Sequence, residues 1–535
     1  MRFGASPAFF IFIRLTIAVP HVWPNPQLDY LERLRFDQEG YNTADLTGIL
    51  QPCDFHLSGA GTGRSNAGDW IRTAFHDMAT HDVTTGKGGL DGSIRFAEEQ
   101  ARPENPGDHF ARTVRFLGVP ADQYVSLADM LALGLILAVE QCGGPEIPFR
   151  GGRVDALAPN DPGVPEPQQD LESHIASFAK QGFNATEMIG LVACGHTFGG
   201  VQHTAFPDLV PELNDPENTE SNAPFDSTFV TFDNNVASEY IAGTTTNPLI
   251  VNSNDTMNSD KRIFASDGNA TMTSFASNAD HFRSTCSDLL TRMIETVPAA
   301  VELTPVIEPL RIKPEIEELL YTAGGALNLR GALRLWDVNL DLDHPIVRME
   351  RKDRDGTPSN DTIELKHEAW MTGSALHNGL RVSTAWYWFP EEQSNIIIDE
   401  TRGVGSLVFN VNGQQEDQGG LGFAIDDTVL FAASSCTSNS NSLLGRIDVA
   451  VRRGLSPSKV YIKSYAFDRN TAELITEEFE LILSSSPAAG SYDIWSISLG
   501  AMTRSISFRA HVNIGNSTHS SLGREFVLRN QPKCL

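Results

Sequence analysis

The spacing of apolar residues changes near residue 320, and this change limits how the chain can fold. From about 30 to 300, apolar side chains recur three and four apart, as in ADMLALGLILAVEQC and HFRSTCSDLLTRMIETV. That is the period of helices with a buried face. Beyond about 320 the period turns toward two, in TIELKHEAW, LRVSTAWYW, SLVFNVNG, RIDVAVRR, KVYIKSYAF, FELIL and SISFRAHVNI. Gly, Asn, Ser and Pro clusters separate these runs, as they separate strands. A helical layer and a strand layer bury different periods. The expectation is therefore a mainly α domain of about ten helices (21–300), followed by an all-β, sandwich-like domain (321–535). Pro298, Pro305, Pro309 and Pro314 crowd the boundary, so 301–320 reads as a Pro-rich linker.

A chain of 535 residues suffices for both cores. Its formal net charge of −28 argues against holding nucleic acid or an anionic membrane by bulk charge. The opening MRFGASPAFFIFIRLTIAVP has one Arg before an apolar stretch, which Arg14 interrupts; residues 1–20 read as a signal peptide and the protein as extracellular. No later run reaches the ~18 apolar residues of a membrane span. Sequons at Asn184, Asn254, Asn269, Asn360 and Asn516 then become glycosylation candidates. The six cysteines, Cys53, Cys142, Cys194, Cys286, Cys436 and Cys534, form no CxxC, which argues against zinc.

Within the helical half, WIRTAFHDMATHD (70–82) places two polar side chains one turn apart in an apolar run. On a helix over 67–79, Arg72 and His76 lie about 40° apart and can address one cavity. Asp77 projects roughly 100° away and must serve something else. Alone, such an Arg–His pair is most simply a satisfied pair at a core edge. A metal site of His76, Asp77, His81 and Asp82 fits poorly. His76 and His81 stand about 140° apart unless the helix ends between them.

Four further stretches add chemistry. GKGGLDGSIRF offers Gly89, Asp91 and Ser93, a free carbonyl, a carboxylate and a hydroxyl suited to a hard cation such as Ca²⁺, with Asp77 able to join. MIGLVACGHTFGG reads as a helix buried on most sides with His196 at its end, either a core histidine or a neutral imidazole ligand to a metal or haem iron. PFDSTFVTFDNN supplies a second set of oxygen donors, Asp226, Thr228, Thr231 and Asp233, which Thr197 could join. MNSDKRIF places Asp260 as a candidate partner for the second nitrogen of His196.

In number, order and spacing these blocks resemble the plant, fungal and bacterial haem peroxidase superfamily, over roughly residues 40–295. RTAFHD looks like the distal helix, with Arg72, Phe75 and His76 matching, and CGHTFGG like the proximal block. Glu99 and Asn105 are spaced like that family's acid and distal asparagine. QCGGPEIPFRGGRVDA is similar to the secreted fungal (class II) branch. The resemblance implies haem b with His196 as axial iron ligand and Asp260 behind it. It implies catalysis by His76, Arg72 and Asn105. It also implies two Ca²⁺ ions, distal (Asp77, Gly89, Asp91, Ser93) and proximal (Thr197, Asp226, Thr228, Thr231, Asp233), and a Cys53–Cys142 disulfide. The implied function is reduction of hydrogen peroxide with one-electron oxidation of a small organic, phenolic or aromatic, donor. Some features depart from the family. Ser65 and Asp69 leave a manganese-oxidising site incomplete, and Leu191 replaces the exposed tryptophan of ligninolytic relatives. Cys436 and Cys534 could tie the β domain, while Cys194 and Cys286 are expected as buried thiols.

A rival places the function in the β domain, as a haem-binding or carbohydrate/cell-wall-binding protein with little peroxidase turnover. Trp336, Trp370, Trp386, Trp388 and Trp495 could stack on polysaccharide, although such residues are more often core.

Overall fold

The computed structural model describes residues 21–56, 62–338, 345–389, 396–438, 445–485, 490–500 and 507–534; side chains of 369–375, 485 and 529 are outside that description. The expected signal peptide lies outside the described residues, as does the Trp370 side chain.

Eleven α-helices among the described residues, Pro26–Phe36 through Ala279–Ile294, are followed by strands, as the two periods require. The helix Leu127–Gln141 is buried along its whole length, which explains why it is apolar on every face. Ser126 caps it by accepting from the Asp129 N–H at 3.0 Å. Against it packs the helix Asn66–Met78, capped by Ser65, whose Oγ accepts from the Gly68 N–H at 3.0 Å. Trp70, Ala74 and Met78 fill that contact and are all but inaccessible. None of the described helices is long and apolar enough to cross a membrane.

Among the described residues the β region is built on a ten-stranded sheet, with a five-stranded sheet packed at each of two places. In the first core, Leu327, Leu329, Leu333 and Leu335 meet Met349, Leu407 and Phe409. In the second, Ile447 and Val449 meet Val460, Ile462, Ala510 and Val512. The single sandwich expected from the alternation is thus two sandwiches sharing one sheet. The expected linker is also shorter, because a strand runs Ile312–Tyr321 through its second half. Pro314 fits there because among the described residues the strand has one neighbour at that point, in register Pro314↔Leu333. The strand Val429–Ala432 joins its other edge only at Leu320 and Tyr321.

The two halves share a buried interface. The helix Pro26–Phe36 and the loop after it pack on the ten-stranded sheet, with Phe36 on Trp336 (ring centroids 5.3 Å apart) and Tyr41 on Trp386 (5.0 Å) and Trp388 (4.6 Å). Trp336, Trp386 and Trp388 are therefore buried rather than presented to a sugar, and Trp495 packs partly buried on the second β core. Beside them lies a buried ionic cluster. Glu32 binds both Lys313 and Arg334, and Arg334 also reaches Asp37 at 2.7 Å. Burial works against the Glu32 charge, but Arg334 and Lys313 hold its pKa down at about 2. Further along, Phe467 lies over Gly118, where a Cβ would fall 1.9 Å from its ring.

Three disulfides close the chain. Cys53–Cys142 forms as expected, and Cys436–Cys534 ties the β region. Cys194 and Cys286 are not thiols: they pair with their Cα atoms 5.5 Å apart, joining the helices Ala185–His196 and Ala279–Ile294. The expectation failed because two buried cysteines 92 residues apart show no sign in sequence that their helices touch.

Candidate functional site

A cavity of about 390 Å³ lies between the helices Asn66–Met78 and Ala185–His196. Arg72, Phe75 and His76 line it from the first and His196 from the second, while Asp77 turns away, as the helical spacing predicts. Its walls are largely apolar, from Ile71, Phe178, Leu191, Phe206, Phe225 and Leu249.

His76 is buried, and its Nδ1 lies 2.7 Å from Asn105 Oδ1. The Asn105 amide is oriented by its own nitrogen, which donates to the Glu99 carbonyl at 2.8 Å. Oδ1 must then accept, so Nδ1 of His76 carries the proton and Nε2 keeps its lone pair. Burial and then Arg72 push the His76 pKa well below the ordinary histidine value, against the Asn105 bond, which raises it. The imidazole is thus a neutral base at neutral pH. Burial lowers Arg72 to about 10, so it stays charged. Its guanidinium lies over Phe110 and Phe206, and Nε has no partner among the described residues.

On the other side, the helix Ala185–His196 starts in a capping box of Asn184 and Glu187 and ends at His196, before the left-handed Gly199. His196 Nδ1 lies 2.8 Å from Asp260 Oδ2, which also accepts from Asn247 Nδ2 at 2.9 Å. Asp260 is 1 % exposed. The ring stacks on Phe225 at 4.2 Å. With Nδ1 tied down, Nε2 is the nitrogen left to bind a metal.

These residues fit a haem. The cavity is largely apolar-walled, and Arg72, His76 and His196 line it, each imidazole with its Nδ1 already bonded.

Each oxygen-rich loop is held by hydrogen bonds of its own side chains and backbone. In the proximal loop Thr228 Oγ1 bonds Asp226 Oδ1 (3.3 Å) and Asp233 Oδ1 (3.1 Å), and Thr197 Oγ1 donates to the Asp233 carbonyl. Asp226 Oδ2 is buried without a partner among the described residues, and burial, Asp233 and Glu239 raise its carboxyl to about 7. Such a set suits a hard cation. Thr231 is exposed and joins the loop through its N–H, which donates to the Thr228 carbonyl at 2.7 Å. In the distal loop Asp77 accepts from the N–H groups of Asp91, Gly92 and Ile94, at 2.8, 2.7 and 2.8 Å. Gly89, at φ 113°, comes against the Thr296 carbonyl. His81 and Asp82 belong to neither site. His81 lies 3.0 Å from the Gly88 carbonyl, and Asp82 accepts from the Thr84 N–H at 2.8 Å.

Sequence reasoning missed three residues here. Phe225 stands next to Asp226 in the quoted motif and was legible as a neighbour. His109 lines the cavity and packs on Phe110 at 4.1 Å, with its pKa held well below ordinary by burial and Arg72. Asn160 reaches into the distal loop from a segment without regular spacing.

A neutral base facing a carboxylate-tethered imidazole across one apolar cavity is the arrangement by which haem peroxidases are defined. Residues 57–278 match the model of the family described as Peroxidase, which makes this part of the chain a haem peroxidase domain, and an additional C-terminal β region follows it. It is 35 % identical over 393 residues to a WSC domain-containing protein of Arthroderma benhamiae, covering 73 % of this chain and 53 % of that one. It is 36 % identical over 140 residues to the peroxisomal L-ascorbate peroxidase 5 of Arabidopsis thaliana (26 % and 49 %). It is 32 % identical over 137 residues to the mitochondrial cytochrome c peroxidase of Candida albicans (25 % and 37 %). The chain thus spans about half the length of the first two of these relatives.

Proposed function

We propose that the protein is an extracellular haem peroxidase that reduces hydrogen peroxide and oxidises a small organic donor in one-electron steps. The observation that carries this is the His76–Asn105 bond, which fixes a neutral imidazole with its free lone pair on the cavity that His196 lines. Haem b, bound through its iron to His196, would supply the redox chemistry with peroxide. His76 Nε2 accepts a proton from one peroxide oxygen and returns it to the oxygen that leaves as water. Arg72 stabilises the negative charge that develops on that leaving oxygen. Asn105 keeps the His76 proton on Nδ1. Asp260 accepts the Nδ1 proton of His196 and makes that imidazole more basic. In balance, one hydrogen peroxide, two electrons and two protons give two waters, and two donor molecules each give up one electron. The proximal cage would hold Ca²⁺ and fix the end of the His196 helix. Three disulfides support an oxidising, extracellular setting.

The test is stopped-flow spectroscopy of the haem-loaded protein with peroxide. His76→Ala should slow the spectral change by about 10²–10⁴-fold, the range for removing a positioned general base. An unchanged rate would falsify the assignment. A wild-type protein that binds haem but turns over no phenolic donor would instead favour haem binding without peroxidase function.

A further inference from the structure

The two oxygen-rich cages differ in one respect that their sequences do not show. In the proximal cage a buried carboxylate oxygen, Asp226 Oδ2, has no hydrogen-bond partner among the described residues. In the distal cage the Asp77 and Asp91 carboxylate oxygens meet donors of the chain itself, and the buried oxygen without a partner among the described residues, Glu99 Oε2, belongs to a neighbouring side chain. Both Asp77 carboxylate oxygens take backbone N–H groups, and the Asp77 carbonyl accepts from Thr80 Oγ1 at 2.8 Å. Four side-chain oxygens surround one nitrogen. Asn160 Nδ2 lies 3.0 and 2.9 Å from the two Asp91 carboxylate oxygens, 3.0 Å from Ser93 Oγ and 3.3 Å from Thr80 Oγ1.

We infer that the Asn160 side-chain amide closes the distal cage in place of a calcium ion, so that the proximal cage alone is a cation site. The amide nitrogen stands at the meeting point of the oxygens a cation would need. Its separations, 2.9 to 3.3 Å, are those of N–H···O bonds, two of which its hydrogens can make at once. An amide NH₂ carries two hydrogens and no lone pair for a metal, so it repels a cation from that point. Turned end for end, its Oδ1 would face the Asp91 carboxylate with no proton between them; that orientation suits only a calcium-filled cage. Asn160 is also clamped at its backbone, where its N–H donates to Glu99 and its carbonyl accepts from Arg102. These bonds fix the backbone from which the amide extends.

The experiment counts calcium by elemental analysis on full-length protein saturated with Ca²⁺ and then freed of loose ions. Wild type should carry no more than one ion per chain, and Asp226→Asn none. Asn160→Asp, which replaces the amide by a third carboxylate, should carry one more than wild type. Wild type with two ions, or Asp226→Asn retaining one, would overturn the inference. If Asp226→Asn does not fold, Asn160→Ala decides: loss of an ion relative to wild type makes Asn160 a ligand and sinks the idea, while an equal or greater count upholds it. Wild type with no ion and Asn160→Asp with one would also uphold it, while removing the proximal calcium reading. The count does not depend on peroxidase turnover.

Discussion

Asn105 makes no contact that would name it a reacting group, yet it decides which nitrogen of His76 is basic. Asn105→Ala frees that choice, and the reaction with peroxide should slow by at least about tenfold, up to the loss expected for removing the base itself. Asp260→Asn keeps the shape beside His196 but removes the charge; haem affinity or turnover should fall about 10–100-fold, as such partners of metal ligands typically show. The reluctance of His76 and His109 to take a proton also sets a pH dependence. Their folded pKa values are depressed, so the stability linked to them is whole above the unfolded value of about 6.5 and is lost as pH falls below it. Denaturation midpoints should therefore drop between pH 7 and 5, and drop less in a His76→Gln, His109→Gln double variant. At this scale the sequence was informative where a helix imposes direction. Stepping 100° per residue separated Asp77 from Arg72 and His76. It was silent on Asn160, whose role depends on a loop folding over another loop.

Elements were legible by period, and their misreadings share a cause. The Pro314 segment looked like a linker because proline is usually excluded from paired strands. The strand pairing shows that among the described residues this strand has one partner there. Likewise the second sandwich could not be seen, because alternation says that a face is buried and not which sheet covers it. Helix ends were clearer. Asn184 begins the His196 helix by accepting from the Thr186 and Glu187 N–H groups, both at 3.0 Å, and it is also a sequon residue. The two roles separate experimentally. Asn184→Ala should cost about 1 kcal/mol of stability through the lost cap. Thr186→Ala, which abolishes the sequon but keeps the cap, should cost much less; equal losses in thermal denaturation would point to the glycan instead.

At the scale of the whole molecule, the helical and β regions are one mechanical unit. Arg334 reaches Glu32 and Asp37 across the interface, and all three are buried. Arg334→Met leaves the buried Asp37 without its cation and Glu32 with Lys313 alone, and should destabilise the protein by about 3–5 kcal/mol, measured by chemical denaturation. Gly118→Ala pushes a methyl group into the Phe467 ring and should loosen the same interface, read as faster proteolysis between the halves. The composition allowed two cores but could not say that they were joined, because these contacts bridge 281 to 302 residues. That span matters during synthesis. A ribosome delivers Glu32 and Asp37 long before Lys313 and Arg334, so the first helix leaves the exit tunnel with its acidic side chains unmatched and must keep them in water. Its final docking waits for the strands Ile312–Tyr321 and Ala326–Trp336, and nascent chains halted before them should hold this helix open to protease.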